Sequence, residues 1–386
     1  MQIQAEPLIE AARAQTGLED FGEDSFREGL EVLCRSASEE AQLSPMGQMA
    51  VPAAIGGCLA NRLRVTDWVK RYPEVAAERI QAPFVVVGMF RAGTTLMSYL
   101  LEKDERHRPL LRWEVNDSVP PPTREGLTGD PRIATTRATM AMLDHINPRI
   151  KVVQNEEPDG PTECIAVLNQ DFKSLVWEAM ANLPSYGQWL HGTDHASAYR
   201  YHRTVLQILQ SGGARGRWSL KSPHHALHLD ALTGVYPDAR LVLMHRDPRV
   251  LCASVCSLIS TISSTFSDAD HRAYIAEHWT QMLERSVAAV ERFRSAHPEV
   301  RIVDVQYAEL LGDPLATMRR VYRAFGDELD GQALEAMTEH VSSHPQGRFG
   351  RHAYRLEEFG LDAGAIAERF KGYVQRYDIP LEQAAG

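Results

Sequence analysis

Apolar residues along the chain come in short dense runs set between longer stretches of mixed character. Phe84-Val85-Val86-Val87-Gly88 is one such run, and Leu241-Val242-Leu243-Met244 is another. Runs this short and this continuous predict strands buried on both faces. Trp218 to Leu220 and Arg301 to Val305 give two more, and Leu110 to Glu114 a short one. Helical spacing fills the gaps: Gly93 to about Lys103, Pro223 to Val235, Pro248 to Ile259, and a segment capped by Asp313 that ends at Phe325. Strands alternating with helices of about 10–15 residues predict an α/β fold, a parallel sheet flanked by helices on both faces. Ligands of such sheets sit at the carboxyl ends of the strands.

Two regions stand outside this alternation. Residues 1–80 read as a helical region packed on the core. There Ser25 and Glu28 have the spacing of a capping box for a helix from Phe26 to about Ser36. A second helix runs through Asn61 to Trp68 and stops near Pro73. Residues 81–386 then form the α/β domain, and about 130–210 within it is mostly helical, long enough to cover a substrate. Pro120-Pro121-Pro122 holds an extended, non-helical segment ahead of it.

Composition narrows the function classes. A hydrophobic content of 44% and a charged content of 24% belong to a globular chain. The formal charge of -10 disfavours general binding to nucleic acid or to anionic membranes. An anionic ligand must therefore be held by a local basic cluster. Cys34, Cys58, Cys164, Cys252 and Cys256 form no Cys-x-x-Cys pair, and an odd number argues against a disulfide framework. With no signal-peptide pattern and no apolar run of roughly 18 residues, the expected compartment is the cytoplasm, without a membrane span.

The chemistry gathers where strands end. After the strand at 84–88 comes Met89-Phe90-Arg91-Ala92-Gly93-Thr94-Thr95, with Gly88 and Gly93 in the Gly-x-x-x-x-Gly frame of a nucleotide-binding P-loop. Thr94 stands where such a loop has its lysine, and Arg91 sits inside the loop instead. The loop suits a phosphate-like anion rather than the β/γ-phosphates of ATP. After 241–244 comes His245-Arg246-Asp247-Pro248-Arg249, with Ser254 about two helical turns on. A guanidinium and a hydroxyl make a second phosphate grip. Lys221 follows the strand at 218–220, pointing to the same crevice. Glu114 ends the short strand beside Trp113. It is either a general base of raised pKa or one half of a salt bridge with Arg112 or Arg124. His224 and His228 have the i, i+4 spacing of a metal pair, but no third ligand is legible, so no metal is expected.

Together the P-loop run, Leu220-Lys221-Ser222-Pro223-His224 and His245-Arg246-Asp247-Pro248-Arg249 with Ser254 resemble the sulfotransferases that use 3′-phosphoadenosine 5′-phosphosulfate. Their overall spacing is similar to the bacterial branch near the tyrosylprotein and carbohydrate enzymes, over about residues 80–325. The resemblance implies a P-loop NTPase-like sheet and roles for matching positions. Phe90, Arg91, Ala92, Gly93, Thr94 and Thr95 would hold the 5′-phosphosulfate, with Arg91 on the sulfuryl group or bridging oxygen. Arg246 and Ser254 would bind the 3′-phosphate, Tyr307 the adenine, and Arg348 and Arg351 would close over the 3′-phosphate. Glu114 matches the general base, and Lys221 the lysine near the transferring group.

The chain departs from the family pattern at Phe90 and Ala92, where proline and serine are usual. It departs also at Pro223, where the aryl and steroid branch has its catalytic histidine; His224 is adjacent and is the alternative to Glu114 as the base. The implied reaction is in-line transfer to an acceptor hydroxyl, leaving adenosine 3′,5′-bisphosphate, with positioning and charge stabilisation as the main effects and no metal. The acceptor would be a small molecule, lipid or carbohydrate. Two other readings are a P-loop kinase or nucleotide phosphotransferase, and a non-catalytic nucleotide-binding protein. The kinase would need an acidic metal ligand after a strand, where this chain has His245-Arg246.

Overall fold

The computed structural model describes residues 2–150, 156–214, 216–344 and 355–382. Five strands form one sheet: β1 (Phe84–Gly88), β2 (His107–Pro109), β3 (Arg217–Lys221), β4 (Arg240–His245) and β5 (Ile302–Gln306). Their order is β2-β3-β1-β4-β5, and every pairing is parallel. β1 is central and fully buried, as its unbroken apolar run requires. In register, Gly88 lies opposite Met244, so the β1 and β4 loops leave the sheet side by side.

The short second strand falls three residues earlier than its apolar pattern suggests, on His107–Pro109 rather than Leu110–Glu114. Leu110 instead gives its carbonyl to Thr162 N–H (2.8 Å), and Leu111 bridges antiparallel to Pro161. The chain then turns, which carries Glu114 out of the sheet. The segment Pro223–Val235 breaks at His228 into a 3-10 turn (Pro223–Leu227) and an α-helix (Leu229–Val235). Helix Arg272–Ala296 had no counterpart in the sequence reading. It buries Ile275, Trp279, Met282, Leu283, Val290 and Phe293 on one stripe.

The N-terminal helices are α1 (Ala5–Thr16), α2 (Arg27–Glu39) and α3 (Pro45–Arg71). Leu30, Leu33, Ile55 and Leu59 belong to the same core cluster as Val86 of β1 and Val242 of β4. The expected capping box does not form. A 3-10 turn, Asp24–Phe26, precedes α2, and Ser25 donates to Asp171 Oδ1 (2.6 Å) instead. Asp171 also pairs with Arg62 of α3 at 2.9 Å, both side chains essentially out of water. The Arg62 guanidinium lies between the rings of Phe26 and Tyr201, 4.8 Å from each centroid. These contacts fasten the N-terminal helices to the segment around residue 171. No helix among the described residues is long and apolar enough to cross a membrane.

Candidate active site

β1 ends at Gly88, and the chain turns through Met89 to Gly93 before α4 (Thr94–Glu102) begins. The turn needs left-handed backbone at two places, Arg91 (φ 69°) and Gly93 (φ 91°). Gly93 is required for a second reason: a Cβ there would stand 2.5 Å from the Tyr307 ring. Phe90, one departure from the family pattern, packs edge-on against Trp279 at 5.1 Å and anchors the loop to the long helix. Ala92, the other, is fully buried, with its N–H on the Met89 carbonyl at 3.2 Å. Thr94 is buried and Thr95 half-buried in the first turn of α4. The N–H groups of that turn lack helical acceptors and stand at the positive end of the dipole. This is the donor set an oxyanion wants.

Arg91 is exposed, and its Nε donates to Ser254 Oγ at 3.2 Å. Ser254 lies on helix Pro248–Ser263, which Asp247 caps by accepting from Arg249 N–H. Arg246 Nη1 donates to the Arg91 carbonyl (2.9 Å), and its guanidinium sits 4.0 Å over the Tyr307 ring. Arg91, Ser254, Arg246, Tyr307 and Gly93 thus lie together at the ends of β1 and β4. Among the described residues Arg246 also has a partner that no motif suggested. Glu382 accepts from Arg246 Nε (2.6 Å) and Nη2 (2.9 Å), a bidentate clamp by the chain's last described residue. Glu382 is held there by its own N–H on Asp247 Oδ2 and its carbonyl on Arg249 Nη2. Arg348 and Arg351 lie outside the described residues.

Lys221, the last residue of β3, is buried between two carboxylates, Glu156 Oε1 at 3.5 Å and Glu163 Oε1 at 3.6 Å. Cys164 N–H bonds the Lys221 carbonyl (2.9 Å), and this places Glu163 beside the lysine. Glu156 also holds Arg112 (3.0 Å) and accepts from Thr162. Burial pushes its pKa upward, but Arg112 and Lys221 together bring it below the usual glutamate value. Glu163 differs. Burial, with Glu156 adding to it, holds its carboxyl above the ordinary value against the pull of Lys221. Its side chain is 27% exposed, so it keeps contact with solvent.

Glu114 is fully buried, and its partner is Arg108 rather than Arg112 or Arg124. Arg108 Nη1 and Nη2 meet the two carboxylate oxygens, and Leu111 N–H donates to Oε2 (3.0 Å). His224 is fully buried too. Its ring packs against His195 and His228, and desolvation lowers its pKa well below the ordinary value. Glu156, Glu163, Glu382 and His195 are the residues sequence reasoning missed. The signal for the first two was present: a Pro- and Gly-broken acidic stretch, Glu156 to Glu163, too irregular for the helix that the reading assigned to this region.

The fold thus sets loop N–H groups and the cations Arg91, Arg246 and Lys221 at the carboxyl ends of β1, β3 and β4, donors of the kind a group-transfer enzyme offers an anionic substrate. The chain belongs to the sulfotransferase family, whose model matches residues 83–331. It is similar to sulfotransferase STF9 from Mycobacterium avium, whose crystal structure is 33% identical, superposes with a TM-score of 0.88 and covers 98% of both chains. Sulfotransferase STF1 from Mycobacterium tuberculosis H37Rv is 33% identical with a TM-score of 0.84, over 96% of this chain and 99% of that one. The omega-hydroxy-beta-dihydromenaquinone-9 sulfotransferase Stf3 of Mycobacterium bovis is 23% identical over 319 residues, 76% of this chain and 74% of its own. The protein is accordingly an enzyme, a bacterial-type sulfotransferase, and its reaction requires a sulfuryl donor. The kinase and non-catalytic readings end here.

Proposed function

We propose that the chain moves a sulfuryl group from 3′-phosphoadenosine 5′-phosphosulfate to an acceptor hydroxyl, with Glu163 rather than Glu114 as the base. The observation that carries this is the joining of Arg91, Ser254 and Arg246 at the ends of β1 and β4, with Lys221 and Glu163 at the end of the neighbouring β3. The donor set fits a nucleotide with two separated anionic groups. Loop N–H groups and Arg91 suit a 5′-phosphosulfate, while Arg246 and Ser254 suit a 3′-phosphate. Glu382 occupies Arg246 as a phosphate would, with two oxygens on one guanidinium fork.

The donor supplies the sulfuryl group, and the chain's residues do the rest. Glu163 takes the acceptor's hydroxyl proton as the new O–S bond forms. Lys221 and Arg91 stabilise the negative charge that builds on the oxygen released as the old S–O bond breaks. No water is consumed, and the proton ends on Glu163. The choice of base rests on access. Glu114 has both oxygens committed to Arg108 and an N–H, with no exposed surface. Glu163 is 27% exposed, its pKa is raised by burial, and Lys221, which it shares with Glu156, is its cation.

For the acceptor, the reading is a hydroxyl on a small molecule, lipid or carbohydrate. Its similarity to Stf3 supports testing terminal hydroxyls on isoprenoid chains first. A cavity of about 640 Å³ runs along helix Pro248–Ser263 past Ser257 and Ser260, one turn beyond Ser254, and is lined by Arg149 and Arg272. Calorimetric titration tests the donor half. Adenosine 3′,5′-bisphosphate should bind far more tightly than AMP or ATP with magnesium, and Arg246→Ala should remove that preference. Equal affinity for all three would overturn it.

A further inference from the structure

Behind Lys221 the chain gathers three histidines that sulfuryl transfer does not use. His195 precedes helix Ala196–Ser211, His224 lies in the 3-10 turn after β3, and His228 caps the short helix that follows. One nitrogen from each ring lies within 4.8 Å of the other two. The rings of His195 and His228 stack at 3.5 Å, and His224 Nε2 lies 3.2 Å from His195 Nδ1. His195 and His224 are almost completely buried.

The polar atoms there are incompletely satisfied. His224 Nδ1 and His228 Nε2 are buried without a hydrogen-bond partner. Buried polar atoms of this kind want an explanation in a bound species. Three imidazoles meet here with ring nitrogens turned toward one another, and the acid acting on them is Asp194, next to His195 in the chain. His195 is already oriented for coordination. Its Nε2 donates to the Leu190 carbonyl (2.9 Å), which leaves the Nδ1 lone pair facing the cluster. A backbone carbonyl on the far ring nitrogen is the usual support of a metal-bound histidine.

We propose that His195, His224 and His228 bind a divalent transition metal ion, zinc by ligand type, that fastens the helical insertion to the exit of β3. Two nitrogens on a tetrahedral zinc stand about 3.3 Å apart, given Zn–N bonds of about 2.0–2.1 Å. The His195 Nδ1–His224 Nε2 separation of 3.2 Å already has that spacing, and a nitrogen of His228 lies within 4.8 Å of both rings' ligand atoms. A cavity of about 570 Å³ lined by His195 and His228 provides a route in and room for a water as fourth ligand. The neighbouring group Glu178, His191 and His278 is a weaker claimant. There Glu178 Oε1 lies 2.7 Å from His278 Nε2, close enough for the two to pair directly, and His278→Gln is the control that tells the two groups apart.

The test uses the full-length untagged chain, purified without chelator and dialysed against zinc, with metal content measured by plasma mass spectrometry. The expected result is stoichiometric zinc, lost in His195→Gln and in His228→Gln and kept in His278→Gln. Cobalt loaded into the wild-type chain should give the intense visible bands of a tetrahedral site. This readout needs no variant and so stands even if the variants fold poorly. The thermal midpoint should fall with chelator and return with zinc. Wild-type chain that stays metal-free and spectroscopically silent, or zinc that survives in both cluster variants, would overturn the proposal. In the metal-free case a water or a shared proton is what joins the rings. None of these readouts depends on the sulfuryl donor, so the proposal stands or falls apart from the reading of the active site.

Discussion

Two carboxylates near the carboxyl edge of the sheet, one buried and one partly exposed, show how little a residue's type says about its use. Glu114 and Glu163 each face a cation that a strand supplies, Arg108 from β2 and Lys221 from β3. Around Glu114 the geometry is closed: two guanidinium nitrogens and a backbone N–H take the carboxylate's oxygens. The Lys221 cluster is open. One lysine stands between two acids at 3.5 and 3.6 Å, and only one of those acids, Glu156, has a second cation. A closed pair lowers its own energy and does nothing else. An acid that shares its cation and touches solvent can exchange a proton. On this ground our proposal gives Glu114 to the fold and Glu163 to the reaction.

The sharpest way to break this comparison is Glu163→Gln. Loss of a general base should reduce turnover by about 10²–10⁴-fold. Binding of adenosine 3′,5′-bisphosphate, measured by calorimetry, should stay nearly unchanged. Lys221→Ala should fall in the same range. Near-normal turnover in Glu163→Gln would return the role to Glu114.

Glu114→Gln is the mirror experiment. Leaving Arg108 buried without its counter-charge should cost roughly 3–5 kcal/mol of stability, read as a lower denaturant midpoint. Turnover per folded molecule should survive. A folded Glu114→Gln protein with no activity would reverse the assignment.

The pH profile sharpens the same contrast more gently. Glu163 is held above the ordinary 4.5 by burial. A base works deprotonated, so turnover should fall as pH drops through this raised value, at a pH where an ordinary glutamate would still be ionised. The Gln variant should lack that limb. The same shift has a stability sign. The folded state holds this proton more tightly than the unfolded one, so the contribution is present at low pH and lost as pH rises through the folded value. A turnover profile whose acid limb is the same in both proteins would refute the base assignment.

Much of this site was legible before the structure. β1, β3, β4 and β5 announce themselves because a strand buried on both faces leaves an unbroken apolar run. Arg91, Arg246 and Ser254 follow from their offsets to those strand ends. The carboxylates were not legible, for a physical reason. Glu163 is placed by the Cys164 N–H on the Lys221 carbonyl and by the Leu111–Pro161 bridge, contacts between residues some fifty apart. No local pattern encodes them. Glu114's partner was misassigned by a smaller error: with the strand drawn at 110–114, Arg108 fell outside it. His195 was invisible beside the His224 and His228 pair, because its approach depends on how helix Ala196–Ser211 packs.

The smallest effect concerns the clamp on Arg246. In the proposed function a phosphate takes that guanidinium and Glu382 must leave it first, so the Glu382 carboxylate would compete with the nucleotide. Both side chains retain some exposure, 12% for Arg246 and 30% for Glu382, which limits the strength of the pair. Breaking a partly exposed ion pair is worth about 0.5–1 kcal/mol. Glu382→Gln should therefore tighten bisphosphate binding by roughly two- to fivefold, by the same estimate, and leave AMP unaffected if AMP does not engage Arg246. Weaker binding in the variant would give Glu382 the opposite role, a tail residue that stays beside the nucleotide and helps to close the site.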